Sequence, residues 1–457
     1  MIGSVFRYGL LLLALLTQTT QAATVSGRVY HDVNGNGRFD AADTPIRAVR
    51  ITDGVGFART NRQGRYRIEV QADPTLADGG RATVAICRPG GYRMASAWFR
   101  HVDEIGPTGQ ADFRLIPEDQ TVPFTFIHAT DPHVPRGGPE KFIGFRNDVQ
   151  ALAAETVFCI LTGDLVDLSD SHSLKRGLEQ FAFLAEHTRD FPVDLYGLPG
   201  NHDIVGVRDG DPNRDHTHPS HAYGAFTSVV GPLRWSFDYG PIHVVGLDFN
   251  RKKDGKWQWG IPAESLQWLE ADLSRVRGRR RIFLFVHAPA DWAALEPILT
   301  KYKVERIFHG HDHVERTYRR GDVEIMSSGS VAEIFGDRDR TTGYRIVRVL
   351  EEGIDSFYRP TGSEHAVYFD YPRYNTKVKP GDVLLGAFYD PQGRIEQLTV
   401  SVGQRTTTVP FRRGPVCCRF ELPLDGLDGP TIDIAATITG NGGSWTFAWT
   451  HDVQQGP

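Results

Sequence analysis

Cysteine is scarce, with four in 457 residues. That excludes a disulfide-stapled scaffold, which concentrates cysteine in a short chain. Cys159 sits in an apolar run and reads as a buried free thiol. Cys417 and Cys418 are adjacent, so on a strand they point to opposite faces, and Cys87 would have to reach either from another domain. Positive charge is not in excess either: 51 Lys and Arg stand against 56 Asp and Glu, a formal net charge of −5. No nucleic-acid binding is expected from that balance. The one basic cluster, Arg277-Gly278-Arg279-Arg280-Arg281, reads as a solvated turn. There is no repeat array, no long low-complexity segment, and no apolar run long enough for a permanent membrane anchor.

What the first residues do contain is a signal-peptide pattern. Arg7 precedes an apolar core, Gly9 to Leu16, and Thr20-Gln21-Ala22 supplies small residues for cleavage after Ala22. A lone Arg is not a twin-arginine signal, and no Cys follows the cleavage point, which argues against a lipid anchor. With residues 1–22 removed, the chain is expected in a periplasm or outside the cell, without a transmembrane anchor.

Three textures follow. Residues 23–117 show short alternating runs such as Thr24 to Tyr30 and Tyr66 to Val70 between Gly, Asn and Asp turns, which predicts a β-sandwich domain. From 118 to 362 apolar strands alternate with amphipathic helices, the mark of an α/β layered domain. Strands are predicted at 124–127, 157–161, 193–198, 243–247, 282–286 and 306–308, and helices near 174–187 and 263–276. Residues 363–457 return to β character, with turns at Asp390-Pro391-Gln392-Gly393 and Gly440-Asn441-Gly442-Gly443.

Five segments in the central part follow apolar strands and carry the chemistry. They are Asp131-Pro132-His133, Gly163-Asp164-Leu165-Val166-Asp167, Gly200-Asn201-His202-Asp203, Val286-His287, and Gly310-His311-Asp312-His313. Ligands gather at strand carboxyl ends in open α/β sheets, so all five can meet at one edge. Glycines at 163, 200 and 310 permit tight turns. Carboxylate, imidazole and amide oxygen together suit manganese, iron, zinc or cobalt better than calcium or magnesium. Two such ions about 3.5–4 Å apart bind a phosphoryl oxygen and generate a hydroxide nucleophile.

In content and order these segments resemble the motifs of the calcineurin-like metallophosphoesterases, over residues 118–362. The flanking segments resemble a bacterial secreted subgroup with one β domain on each side. The resemblance implies a four-layer α/β fold, a β-sandwich with flanking helices, plus N-terminal and C-terminal all-β sandwich-like domains. It implies two divalent or mixed-valence metals and a phosphoester substrate. Asp131, His133, Asp164 and His313 would hold one metal. Asp164 would bridge to the second, completed by Asn201, His287 and His311. His202 would face the leaving group, with Asp167 orienting it. Purple acid phosphatases, a related branch, need a tyrosine three residues after the bridging aspartate, where this chain has Asp167. The expected activity is phosphodiester or phosphomonoester hydrolysis. The alternatives are a pyrophosphatase on nucleotide-sugar or lipid-linked diphosphates, and an inert surface-binding module.

Outside those segments, His128 and His309 read as structural. Arg214, His216, His218 and His221 lie in a polar loop that suits either phosphate contact or solvent. Trp257, Trp259 and Phe335 suit either a pocket or a core. The run Asp32 to Asp43 has calcium-loop spacing, with Asp32, Asn34, Asn36, Arg38, Asp40 and Asp43 as ligands. No helices flank it, so a structural calcium on a β-module turn is expected there.

Overall fold

The computed structural model describes residues 23–136, 138–208, 216–278, 280–332, 342–363, 365–373, 376–390, 392–427 and 429–454. The expected signal peptide, Arg214, Arg279 and Phe335 lie outside them.

The central region is built from two mixed sheets. In the first, Asp194–Leu198, Thr156–Thr162 and Phe124–Ala129 run parallel, and Gly343–Val349 and Ile354–Pro360 continue antiparallel. In the second, Ile242–Leu247, Arg281–Val286, Val304–His309 and Val323–Ser327 are parallel, edged by antiparallel Trp235–Tyr239 and Arg316–Arg320. Strand residues divide by parity. Phe126, Phe158, Phe283, Phe285 and Phe308 share one core with residues from both sheets. Their neighbours Ile127, Cys159 and Leu161 pack instead against Phe142 and Phe145 of helix Pro139–Leu152 and Phe181 and Leu184 of helix Leu174–Thr188. On the other sheet Val245, Leu247, Leu284 and Val286 pack against Trp268 and Leu269 of helix Ala263–Leu273 and Leu295 and Leu299 of helix Trp292–Tyr302. Strands covered on both faces read as continuous apolar runs, and Arg281–Val286 (RIFLFV) is an example.

The flanking regions each hold two sheets around their own core. Val29, Ile51, Val84, Phe113 and Leu115 fill the first; Leu384, Phe388, Leu398, Ile434 and Ile438 fill the last. The N-terminal region is pinned to the centre by polar contacts. Arg234 reaches Asp73 at 2.8 Å and the Gly54 carbonyl at 3.1 Å, and the Trp268 indole donates to Thr52 at 2.9 Å. All four cysteines are buried free thiols. Cys417 packs with the central region and Cys418 with the C-terminal core, as adjacent strand residues should. The Asn441-Gly442 pair closes the hairpin between Thr431–Gly440 and Gly443–Asp452. No helix among the described residues is long and apolar enough to cross a membrane.

The Asp32–Asp43 loop is stitched to itself. Asp32 accepts the N–H of Asn36 (3.1 Å) and Gly37 (2.9 Å) and pairs with Arg114 at 3.1 Å. Asp40 accepts the side-chain amides of Asn34 and Asn36, Asp43 accepts the N–H of Val33 and Asp40, and the Arg38 N–H donates to Asn36 Oδ1.

Candidate active site

The five polar segments all leave carboxyl ends of strands, three from the first sheet and two from the second, and their turns are sewn together. The Asp131 N–H donates to the Gly163 carbonyl, the His133 N–H to the Asp164 carbonyl, and the Gly310 N–H to the His287 carbonyl, each at 3.0 Å. A Cβ on Gly200 would stand 2.2 Å from Asp164 Oδ1, and one on Gly310 would stand 2.3 Å from Asp131 Oδ2. Only glycine lets these turns come so close. Asp203 adds a staple, accepting the Gly200 N–H at 2.7 Å and the Val166 N–H at 3.0 Å.

The backbone is strained where the ligands sit. Asp131, His133, Asp164, His311 and His313 all have left-handed φ, between 42° and 68°. For residues with a side chain this region is costly, and such strain collects at functional sites.

The side chains converge in two groups, Asp131 with His133 and His313, and Asp164 with His287 and His311. His313 Nε2 lies 3.1 Å from Asp131 Oδ1 and 3.2 Å from His133 Nε2. His287 Nε2 lies 3.1 Å from His311 Nδ1, 3.1 Å from Asn201 Oδ1 and 3.3 Å from Asp164 Oδ2. Asp164 Oδ2 is also 3.9 Å from His133, between the two groups. These residues fit a cation on chemical grounds. With Nδ1–H of His287 donating to the Thr162 carbonyl at 2.8 Å, a neutral His287 ring turns a lone pair toward two oxygen acceptors. Converging acceptors repel unless a proton or a metal ion sits among them.

Electrostatics point the same way. Burial pushes the Asp131 and Asp164 carboxyls up, but the surrounding imidazoles, His313 for the first and His287 for the second, hold both below the ordinary range. Burial pulls His287 down, yet Asp164 outweighs it and lifts the ring to about 9. Burial and the charge of His287 press His311 down to about 4. The bare cluster therefore takes up a proton at His287, where a metal would compete for the same lone pair.

His202 lies at the rim, its Nε2 3.9 Å from Asp164 Oδ2. The residue expected to orient it was Asp167, and here the structure corrects the sequence reading. His202 Nδ1 is held by Asp170 at 2.8 Å. Asp167 points to Arg136 at 3.4 Å and Arg176 at 3.9 Å. Leu168 takes a left-handed φ of 49°, and the chain turns so that Asp170, not Asp167, returns to the site. Ser169 supports this by donating to the His202 carbonyl at 2.5 Å. Burial pulls His202 down, but the bond to Asp170 and the charge of Asp164 leave it raised. The only sequence signal for Asp170 was a third aspartate in GDLVDLSD.

The remaining candidates fall outside the cluster. His128 is buried against Phe285 and Phe308 and meets Thr162 Oγ1 at 3.0 Å. His309 is buried, which presses it down to about 4. His216 and His221 contact each other at 3.3 Å, and His218 accepts the Ser220 N–H. Trp257 packs on Tyr223, whereas Trp259 stands edge-on to His311 at 4.9 Å.

Comparison with known proteins bears directly on this cluster. Residues 124–315 match the model described as calcineurin-like phosphoesterase. A protein of Arcobacter nitrofigilis named "Probable glycerophosphodiester phosphodiesterase GpdQ" is 27% identical over 28% of this chain and 41% of its own length. A Fibrobacter succinogenes protein named "Probable cyclic nucleotide phosphodiesterase" is 24% identical over 37% of this chain and 63% of its own. The match thus spans less than two thirds of either relative. A solved archaeal phosphodiesterase overlays with a TM-score of 0.28 at 11% identity, covering 52% of this chain and all of that one. The five strand-end segments lie within the matched stretch, and across residues 124–315 the chain carries a calcineurin-like phosphoesterase domain.

Proposed function

We propose that the chain is a metal-dependent phosphoric ester hydrolase, acting on phosphodiesters ahead of phosphomonoesters, in the periplasm or outside the cell. The observation that supports this best is the convergence of four imidazoles, two carboxylates and the Asn201 amide at one edge shared by both sheets. In this reading Asp131, His133 and His313 would hold one ion, Asn201, His287 and His311 a second, and Asp164 would serve both. Two ions of manganese, iron, zinc or cobalt would supply Lewis-acid charge to the phosphoryl oxygens and an activated water. The two sheets and their outer helices are read as a four-layer stack, with a β domain on each side.

The chain's own residues do the rest. Asp131 and Asp164 stay ionised and provide fixed negative charge. Gly200 and Gly310 keep the turns close enough for their ligands to share one small volume. His202 faces the cluster through Nε2 while Asp170 fixes Nδ1, so its free proton points to where a leaving oxygen would depart. Giving up that proton neutralises the alkoxide as the ester bond breaks. Asp170 does not touch the substrate; it positions His202 and favours its charged form.

On ligand spacing we also assign a structural calcium to the Asp32–Asp43 loop, where the Arg114–Asp32 pair is the contact it would displace. A rise in melting temperature with calcium and none with magnesium is expected.

The direct test uses metal-loaded protein with bis-p-nitrophenyl phosphate, p-nitrophenyl phosphate and a nucleoside diphosphate sugar. Fastest turnover is expected on the diester, with Asn201→Ala abolishing it. Equal rates for wild type and Asn201→Ala on all three compounds would sink the hydrolase reading.

A further inference from the structure

A cavity of about 200 Å³ opens beside the candidate metal centre, reaching it at Asn201 and reaching the His202 relay at Asp170. Its outer wall is a two-stranded hairpin, Asn250–Lys253 paired with Lys256–Trp259. The hairpin is tied down at its base. Asn250 donates its side-chain amide to the Gly200 carbonyl at 2.7 Å, directly behind Asn201, and its own carbonyl accepts from Tyr223 at 3.2 Å. Arg251 pairs with Asp291 at 2.8 Å. A wall fixed in this way holds its side chains in register with the metal-bearing turn.

Trp259 is the feature of that wall with no structural explanation. It is 54% exposed, one of very few large apolar side chains left so open among the described residues. Its partner Trp257 is packed on Tyr223, and the fold does not need Trp259 in the same way. Yet Trp259 meets the metal-site residue His311 edge-on, at 4.9 Å and 79°. A largely exposed indole therefore stands beside the cluster proposed to bind the phosphoryl group. Arg208, half exposed and held by Asp170 at 2.6 Å, lines the same cavity and adds a guanidinium to it.

We propose that Trp259 is a specificity-determining platform for the proposed phosphoesterase, selecting phosphodiesters in which one ester arm carries a flat aromatic ring, as in a nucleoside. An indole face rewards any planar ring by stacking and does little for a glycerol or amino-alcohol arm. At about 200 Å³ the cavity is below the size of ordinary ligand pockets and suits one ring system better than a lipid tail. The proposal rests on the hydrolase reading for its kinetics but not for its binding.

Two measurements test it on the full chain. The first compares kcat/KM for the p-nitrophenyl ester of thymidine 5′-phosphate with that for glycerophosphoethanolamine. Trp259→Ala is expected to lower the ratio of the two about tenfold, mainly through KM, and Trp259→Phe to keep it within about threefold. The second is calorimetric titration of metal-free protein with thymidine 5′-phosphate and with glycerol 3-phosphate. Wild type should prefer the nucleotide about tenfold, and Trp259→Ala should lose that preference. An unchanged kinetic ratio, or no binding preference in wild type, overturns the proposal. Hydrolysis of neither diester by wild type would defeat the hydrolase reading alone, leaving the binding comparison to decide this one.

Discussion

Two clusters of buried histidine and carboxylate lie at opposite ends of the second sheet, the candidate site being shared with the first, and their proton accounting differs. Near the amino end of strand Ile242–Leu247, His243 gives one ring nitrogen to Asp238 and the other to Asp272, both at 2.7 Å. Asp272 also accepts from Ser236 at 2.8 Å and Arg50 at 2.7 Å. Every polar atom of that ring meets a carboxylate, so a doubly protonated imidazole completes the network. At the carboxyl ends, ring nitrogens face each other at 3.1 and 3.2 Å, and a neutral His287 turns a lone pair on oxygen acceptors. The first cluster is closed by protons alone; in the second a proton on His287 occupies the place where a metal ion would compete for the same lone pair. Residue type alone does not separate a structural histidine from a ligand, but ring nitrogens that face one another do.

The largest effect that can break this contrast is at the bridging carboxylate. Asp164→Asn should lower kcat by more than the roughly 10–100-fold that loss of an outer contact to a metal ligand costs, with the circular dichroism spectrum unchanged. Retained activity would place the chemistry elsewhere.

Asp272→Asn should do the reverse. It leaves Arg50 and His243 buried beside a neutral amide, at a cost of about 3–5 kcal/mol in denaturant unfolding. Turnover per folded molecule should be unchanged. The same network predicts a pH dependence. Burial pulls His243 down, but Asp272 and Asp238 leave it raised, so its contribution is full below about 6.5 and is lost as pH rises through its folded value. Burial pushes Asp272 up, but His243 and Arg50 leave it lowered, so its contribution is present above about 4 and is lost in acid. The cluster stabilises most between about 4 and 6.5, and His243→Gln should remove the decline on the alkaline side.

Metal readdition sharpens the contrast further. After chelation, manganese or zinc at a hundred times its dissociation constant should raise stability by about 2.7 kcal/mol in wild type. In His313→Ala the gain should shrink, and in His243→Gln it should persist.

The smallest of these effects separates two neighbouring aspartates. Asp170→Asn is expected to lower kcat about 10–100-fold. It should also move the alkaline limb of the kcat profile to lower pH, because His202 loses the partner that keeps it protonated. Asp167→Asn should change neither. Equal effects from both would remove Asp170 from its positioning role.

The legible parts of this molecule share a physical cause. Strands such as Thr156–Thr162 and Val304–His309 were readable because helices and a second sheet cover both their faces, leaving unbroken apolar runs. The ligands were readable because each lies within four residues of a glycine or of a strand end. Helix Trp292–Tyr302 was not foreseen, since Pro297 interrupts its pattern and Asp291 ahead of it makes no side-chain cap. The Asp170–His202 pair was missed because it depends on the left-handed turn at Leu168, a conformation that leucine does not announce. The cavity wall stayed open between pocket and core in the sequence, because a four-residue strand with two tryptophans looks the same whether it packs a core or lines an opening.

The five left-handed ligand positions carry a lesson for anyone engineering this chain. Each costs about 1 kcal/mol relative to glycine, so replacing Asp131, His133, Asp164, His311 or His313 with glycine relieves the backbone. Glycine would also delete buried bonds, such as those by which Asp131 accepts the His311 N–H at 2.9 Å and Asp164 the His202 N–H at 2.8 Å, each loss costing about 1–3 kcal/mol. The strain is thus held in place by the same contacts that gather the proposed ligands, and neither can be engineered away without the other.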